Sequence, residues 1–165
     1  MSNHQELFRL SRRDLVKRAA GGSALALLVE MGLLAEKAYA LTTRQGDIIV
    51  TVGYSALGTP YKLPPDGLPD NTDCSLLTQY AYRQAGITIP RTAAQQYAAC
   101  RYSSNQPGSL VFFATGSSRR TVTHVGINLG DGWMIDANSY EGEVVEENWR
   151  NSNYWWSRFI ASATL

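Results

Sequence analysis

Beyond position 40 the chain contains two cysteines, Cys74 and Cys100, and a single histidine, His124. A thiol and an imidazole together can carry out nucleophilic acyl transfer, in which the histidine takes the thiol proton and returns it to the leaving group. If such a mechanism operates, His124 is the base by elimination. The nucleophile has to be chosen between the two cysteines.

The position of Cys74 favours it as the nucleophile. Asp73 is a good N-cap, and the sequence predicts a helix from Cys74 to Ala85 that stops at Gly86. The unpaired N–H groups and the positive end of such a helix stabilise a thiolate and can donate to an oxyanion. Cys100 lies at the far end of another predicted helix, where the dipole disfavours a thiolate. We interpret Cys100 as a buried or idle thiol.

An orienting partner for His124 is expected in the following strand. Asp136 lies twelve residues further on, and a three-residue turn centred on Asp131 would place it diagonally on the same face, with Asn138 opposite His124. A two-residue turn would bring Asp136 to the other face. Asp136 is therefore the candidate third residue, and Asn138 is the reserve.

Other interpretations of these residues stay open at this point. Cys74 and Cys100 could form a structural disulfide in an oxidising compartment, and His124 could be a structural histidine. One histidine and two separated cysteines do not have the spacing of a zinc site, so neither a metal nor another cofactor is expected.

The order of predicted elements indicates an α+β domain. Helices are predicted at about 47–57, 74–85 and, after a cap at Thr92, through residue 99. Short β-branched or aromatic segments separated by turn residues then predict an antiparallel sheet of about five strands, at 110–114, 124–129, 133–138, 144–147 and 155–160.

The first forty residues are predicted to be a signal peptide. The pair Arg12-Arg13 lies in a Ser-Arg-Arg-x-Leu-x-Lys stretch that resembles the twin-arginine export signal, and a weakly apolar run ends in Ala38-Tyr39-Ala40. We therefore expect the twin-arginine translocase as a partner during export, a single domain at 41–165, and a location in the periplasm or outside the cell.

Charge and hydropathy exclude two other classes. Residues 41–165 carry nine Lys and Arg against ten Asp and Glu, which is not the basic surface expected of a nucleic-acid binder. Glu30 interrupts the one apolar run long enough to be considered as a membrane helix, so no stable membrane span is expected after signal removal.

Beyond position 40 the chain contains four short motifs, in this order: Asp73-Cys74-Ser75, Pro90-Arg91-Thr92 with Gln95, Gln106-Pro107-Gly108 followed by Leu110-Val111-Phe112-Phe113, and His124-Val125-Gly126-Ile127. In order and spacing they resemble the motifs of the NlpC family, the NlpC and p-sixty cell-wall peptidases, which are papain-like cysteine peptidases. The resemblance covers about residues 47–161.

The resemblance implies hydrolysis of bonds in peptidoglycan stem peptides, often between D-glutamate and a diamino acid. It implies Cys74 as nucleophile, His124 as base and Asp136 as the third member. It also implies that Tyr61 lines the site, and that Asp73 and Ser75 receive the free amine of the stem peptide. Two alternatives are a non-catalytic wall-binding module of the same fold and an amidase or peptide-transfer enzyme acting on related substrates.

The chain also departs from the family pattern. Leu76 stands where members usually carry Gly, Ser109 where they carry Asp, and Asp136 where the third member is usually His. The Trp-Gly-Gly that often follows the Pro-Tyr pair is replaced by Lys62-Leu63-Pro64-Pro65. An Asp can still orient an imidazole and balance its charge, so these departures bear on substrate choice more than on activity.

Overall fold

The structure, a computed structural model, describes residues 41–165, and the predicted signal peptide lies outside them. Helices occupy the first part of this region and strands the second. The helices are α1 (Thr43–Ser55), α2 (Cys74–Gln84), α3 (Ala93–Ala99) and the short α4 (Asn153–Trp156). The strands are β1 (Tyr102–Ser103), β2 (Leu110–Phe113), β3 (His124–Asn128), β4 (Trp133–Asn138), β5 (Glu143–Asn148) and β6 (Phe159–Thr164).

Side-chain caps fix where the three longer helices begin. Thr42 and Gln45 form a capping box at the start of α1, and Thr92 and Gln95 form another at the start of α3. Asp73 caps α2. The predicted caps at Asp73 and Thr92 are confirmed, so the first residue of α2 is Cys74.

The strands form one antiparallel sheet in the order β1-β6-β2-β3-β4-β5. Phe113 at the end of β2 pairs with His124 at the start of β3. Across the β3–β4 hairpin, Ile127 pairs with Ile135, which is the register of a turn centred on Asp131. This register is the one that places residues 124 and 136 diagonally on one face of the sheet.

The two faces of the sheet pack against different partners. Residues such as Phe112, Ile127 and Ile135 face the helices and join the main core with Ile49 of α1 and Leu77 of α2. Side chains of the opposite parity form a second cluster with residues from the end of the chain, namely Val111, Phe113, Met134, Trp149 and Trp155. His124 and Asp136 share the parity of this second cluster, so they lie beside a tryptophan-rich layer.

Two glycines allow α1 to pack closely against the loop before β2. A Cβ at Gly46 would lie 2.5 Å from the carbonyl oxygen of Pro107, and a Cβ at Gly108 would lie 2.6 Å from the Cα of Gly46. Gly108 also has a positive φ of 86°, which L side chains rarely adopt. The Pro107-Gly108 motif is therefore a packing point for α1.

The structure confirms the α+β class and the helix-then-sheet order, and it corrects several bounds. The sheet has six strands where about five were expected, because the two-residue strand β1 pairs with β6. The predicted strand at 155–160 is wrong: Trp155 lies in α4, and β6 begins at Phe159. The first helix begins at Thr43, earlier than predicted. Among residues 41–165, no helix is both long enough and apolar enough to cross a bilayer.

Candidate active site

Cys74 is the first residue of α2, and its side chain is buried but not sealed, with 9% of its surface exposed. The first intrahelical bond runs from the Leu77 N–H to the Asp73 carbonyl, and the Leu76 N–H is bound by the Asp73 carboxylate at 2.8 Å. The N–H groups of residues 74 and 75 precede that bond, at the positive end of the helix. The thiol thus lies where a thiolate and an oxyanion are both stabilised.

The structure brings His124 between Cys74 and Asp136. The ring nitrogen Nε2 of His124 lies 2.7 Å from Oδ2 of Asp136, and the Cys74 thiol lies near enough to the same ring to raise its pKa. Since Nε2 is engaged with the carboxylate, Nδ1 is the nitrogen available to the thiol. The three side chains therefore form a chain of donor and acceptor groups from the helix to the sheet.

Gly126 makes the diagonal contact between His124 and Asp136 possible. It follows His124 by two residues on the same face and lies opposite Asp136 in the β3–β4 register, and a Cβ there would be 2.9 Å from the Met134 sulfur and 3.3 Å from the Asp136 Cβ. A larger residue would push the carboxylate away from the imidazole. Close packing within the site therefore requires the glycine of the His-Val-Gly-Ile motif.

Electrostatics favour a positively charged His124. Burial of the ring lowers its pKa, but the hydrogen bond to Asp136 and the contacts with Cys74 outweigh this effect, so the net pKa is raised above its ordinary value. Asp136 is fully buried, and the His124 side chain is 10% exposed. A buried imidazolium between a carboxylate and a thiol is suited to stabilising a thiolate.

Asn138, the reserve candidate, has other partners. Its Nδ2 donates to Glu147 at 2.8 Å, and its Oδ1 accepts from the Tyr140 N–H at 2.9 Å. Asn138 thus binds the strand β5 and the turn that leads to it, whereas Asp136 contacts His124.

Trp155 covers the imidazole, and sequence reasoning missed this contact. Its ring centroid lies 4.9 Å from that of His124 with an interplanar angle of 30°, and Phe113 is a second aromatic neighbour at 6.2 Å. The chain segment containing Trp155 was expected to be a strand, which gave no reason to place the indole on the site. The ring excludes water from one side of His124.

The cysteines do not form a disulfide, since both Cys74 and Cys100 are free. Cys100 is the C-cap of α3, and burial raises the pKa of its thiol to about 11. Such a thiol is protonated at neutral pH and therefore a poor nucleophile. The disulfide interpretation is wrong, and Cys100 is placed away from a helix N-terminus.

An ion pair orients the loop around Cys74. The two terminal nitrogens of the Arg91 guanidinium, Nη1 and Nη2, donate to the Asp73 carboxylate, and Nη1 also donates to the Ser75 hydroxyl at 2.9 Å. Burial raises the pKa of Asp73, but Arg91 outweighs this and the net pKa is lowered. The sequence contained the Pro-Arg-Thr motif, but nothing local indicated that Asp73 is the partner of Arg91.

Tyr61 is half-buried on the same side of the site. Burial raises the pKa of its phenol, and the charges of Cys74 and Asp73 raise it further, so the phenol lies near both. Its backbone N–H donates to Gly142, which ties this loop to the turn between β4 and β5. Tyr61 therefore lies beside the thiol, whereas the side chains of Asp73 and Ser75 are buried and bound to Arg91.

A cavity of about 350 Å³ opens on the His124 side. Trp155 and Tyr154 of α4, Glu141 of the β4–β5 turn and Glu147 of β5 contribute to its wall. Its wall holds no Lys or Arg, within the part of the chain that is described. A substrate group that enters here meets acidic and aromatic side chains.

Comparison with known proteins gives the family. The family model described as "NlpC/P60 family" matches residues 58–164, which is most of the chain. The chain belongs to the NlpC/P60 family. The resemblance inferred from the four motifs is thereby confirmed, and α1 lies before the matched NlpC/P60 stretch.

Similar NlpC/P60 relatives are longer than this chain. A probable endopeptidase p60 of Listeria seeligeri is 44% identical over 92 residues, covering 54% of this chain and 17% of the relative. A bifunctional muramidase/DL-endopeptidase of Bacillus subtilis is 34% identical over 121 residues, covering 70% of this chain and 36% of the relative. The chain thus spans about a third or less of the length of these two proteins.

A solved NlpC/P60 structure shares the fold. The Staphylococcus aureus protein, described as similar to a lipoprotein, is 29% identical with a TM-score of 0.66 over 75% of this chain and 42% of that one. The papain-like arrangement expected from the motifs is therefore confirmed for the NlpC/P60 domain of this chain.

Proposed function

We propose that residues 41–165 hydrolyse amide bonds in peptidoglycan stem peptides with Cys74 as nucleophile, His124 as general base and Asp136 as orienting residue. The observation that carries this proposal is the contact chain from Cys74 through His124 to Asp136, with the thiol at a helix N-terminus. Membership of the NlpC/P60 family and the endopeptidase names of its relatives support it.

The proposed reaction proceeds through a thioester. The Cys74 thiolate attacks the scissile carbonyl carbon, and the backbone N–H at the start of α2 donates to the resulting oxyanion. The His124 imidazolium then gives its proton to the leaving amine as the carbon–nitrogen bond breaks. Water, deprotonated by His124, attacks the thioester, and the carboxylic product leaves as the thiolate–imidazolium pair is restored.

The finer substrate assignment is a bond between D-glutamate and a diamino acid. The DL-endopeptidase name of the Bacillus relative supports it, and so does the cavity beside His124, where the exposed Glu141 suits the ammonium group of a diamino acid. On the other side of the thiol, Tyr61, Asp73 and Ser75 would receive the free amine of the stem peptide. Arg91 would fix the orientation of the Asp73 carboxylate there.

The test is mass spectrometry of purified wall fragments incubated with the protein. Wild type is compared with Cys74→Ala, and Cys100→Ala is the matched control for loss of a thiol. We expect new fragments with wild type and with Cys100→Ala but not with Cys74→Ala, and the fragment masses identify the bond. Cleavage that survives Cys74→Ala refutes the nucleophile, and no cleavage by any folded variant supports a wall-binding module instead.

Export by the twin-arginine route is a separate proposal based on the sequence of residues 1–40. This route carries folded proteins, so Cys74 would already be buried in the finished site before it meets an oxidising compartment. Replacing Arg12 and Arg13 by lysine should block export. Efficient export of the lysine variant to the periplasm or the medium would refute this route.

A further inference from the structure

One oxygen of the central carboxylate is unexplained by the Cys74–His124–Asp136 contacts. Oδ2 of Asp136 binds His124, but Oδ1 is buried and has no hydrogen-bond partner among the described residues. Buried carboxylate oxygens without a donor are rare, because the lost hydration is not replaced. Oδ1 of Asp136 therefore needs a donated proton, which the positions of the non-hydrogen atoms alone do not show.

Glu147 is the neighbour that can supply this donor. It lies opposite Met134 in the β4–β5 register, which makes it the diagonal neighbour of Asp136 on the same face of the sheet. Glu147 lies near enough for the charge of Asp136 to act on its carboxyl group. Two carboxylates so close cannot both be ionised at low free-energy cost, so a proton is held between them.

The other contacts of Glu147 hold its carboxyl group in place. One oxygen accepts from Asn138 Nδ2 at 2.8 Å, and the other accepts from Trp155 Nε1 at 2.7 Å. Trp155 is also the indole that covers His124. Glu147 thus contacts the site from two sides, through Asp136 and through Trp155.

The groups around Glu147 do not neutralise it when it ionises. Besides Asp136 of β4, the titratable groups that face the same cavity are His124 of β3, Tyr140 and Glu141 of the β4–β5 turn, and Tyr154 of α4. No Lys or Arg side chain joins them within residues 41–165. Burial, followed by the charge of Asp136, raises the pKa of Glu147 to about 7.

We propose that Glu147 is a positioning residue that holds a proton against the free oxygen of Asp136 and so sets how firmly Asp136 holds the His124 imidazolium. With the proton in place, the O–H of Glu147 donates to Oδ1 of Asp136 and withdraws charge from the carboxylate. When the proton passes to solvent, two negative groups face the imidazolium, which is then held more tightly. This inference rests on the proposed function of Cys74 and His124.

The experiment measures alkylation of Cys74 by iodoacetamide as a function of pH, because this readout needs no wall substrate. The full chain is used in a Cys100→Ser background, so that the reactive thiol is Cys74. Wild type is compared with Glu147→Gln, which has the same shape but a permanent donor. Glu146→Gln is the matched control, since Glu146 is the neighbouring exposed carboxylate on the other face of β5.

We expect the alkylation profile of the wild type to show an inflection near pH 7, the pKa of Glu147. The inflection should be absent from the profile of Glu147→Gln and present in that of Glu146→Gln. In the NMR titration of the His124 ring, the imidazolium midpoint should fall by about one pH unit in Glu147→Gln, which is about tenfold in the ratio of protonated to neutral ring. A purely structural residue would instead lower the unfolding temperature without moving either midpoint.

The outcomes separate this inference from the proposed function. Profiles of wild type and Glu147→Gln that superimpose would overturn the role of Glu147 and leave the nucleophile assignment standing. A wild-type Cys74 that reacts in mildly acidic buffer no faster than free cysteine would show that no thiolate–imidazolium pair exists. That result refutes the proposed function, and the inference with it.

Discussion

Replacing Asp136 by asparagine removes the charge that faces His124 and keeps the shape of the side chain. The asparagine Oδ1 can still accept from Nε2 of His124, so the 2.7 Å contact is retained as a neutral hydrogen bond. A hydrogen bond to a charged group contributes about 1.5–3 kcal/mol and a neutral one about 0.5–1.5 kcal/mol. The difference of about 1–1.5 kcal/mol corresponds to a loss of roughly tenfold in kcat/KM.

The raised pKa of His124 determines at which pH the activity of Asp136→Asn falls first. The pKa of His124 is raised above its ordinary value of 6.5, so the stability it contributes is fully present below that value and is lost as the pH rises through the raised pKa. Without the carboxylate, this loss begins at lower pH. The activity of Asp136→Asn should therefore decline first on the alkaline side, where the imidazolium is no longer held.

At neutral pH the folded state should lose the part of its stability that comes from the imidazolium–carboxylate pair, whereas at alkaline pH it should tolerate the asparagine well. The new amide nitrogen takes the place of the unpartnered Oδ1 and can donate to Glu147, so the free energy of unfolding should be unchanged or higher at alkaline pH. The assay is kcat/KM on wall fragments across pH, with thermal unfolding of the same samples. Asp131→Asn, an exposed aspartate in the β3–β4 turn, is the control for loss of one negative charge.

Equal kcat/KM for wild type and Asp136→Asn at every pH would refute the orienting role of Asp136. A loss of activity that follows a loss of folded protein would also contradict the reasoning, because it assigns Asp136 a structural role. If Asp131→Asn showed the same decline, the effect would belong to net charge and not to the contact with His124.

Two further changes test the packing and the ion pair around the site. Gly126→Ala places a Cβ 2.9 Å from a buried sulfur and should lower the free energy of unfolding by about 1–3 kcal/mol in chemical denaturation, whereas Gly116→Ala, with its nearest contact at 3.5 Å, should be tolerated. Arg91→Ala should lower the free energy of unfolding by about 1–2 kcal/mol, a modest loss because this arginine is 41% exposed and solvent screens the ion pair. Arg120→Ala, the control, should leave the free energy of unfolding unchanged. Asp73 has a lowered pKa, so its stabilisation is present above 3.8 and is lost as pH falls; acid unfolding of Arg91→Ala should therefore begin at higher pH, and an unchanged acid midpoint would contradict the ion pair.

Local signals in the sequence were sufficient to predict the helix side of the site. Asp73 as a cap and Gly86 as a stop define α2, so Cys74 could be placed at a helix N-terminus from adjacent residues alone. The β3–β4 hairpin is also local, and its turn residues limited the register to two choices. One of the two choices puts Asp136 beside His124, and the structure has that one.

The last strand shows why the end of the chain could not be predicted in the same way. The aromatic run from Trp155 to Ile160 has the composition of a strand, but its first residues form α4. Strand β6 pairs with β2, about fifty residues earlier in the chain, and with β1, about sixty residues earlier. These partners are distant in sequence, so no local pattern of residues 155–165 determines where pairing starts.

The sequence by itself determined which reactive groups are available, namely a thiol at a helix N-terminus and one histidine beyond position 40, and which family the motifs belong to. The tertiary structure alone decided how that chemistry is tuned. Arg91 on Asp73, Trp155 on His124, and Glu147 against Asp136 are contacts between elements that only packing brings together. Caps and turns depend on neighbouring residues, whereas burial and charge coupling depend on which distant segments exclude water from the same place.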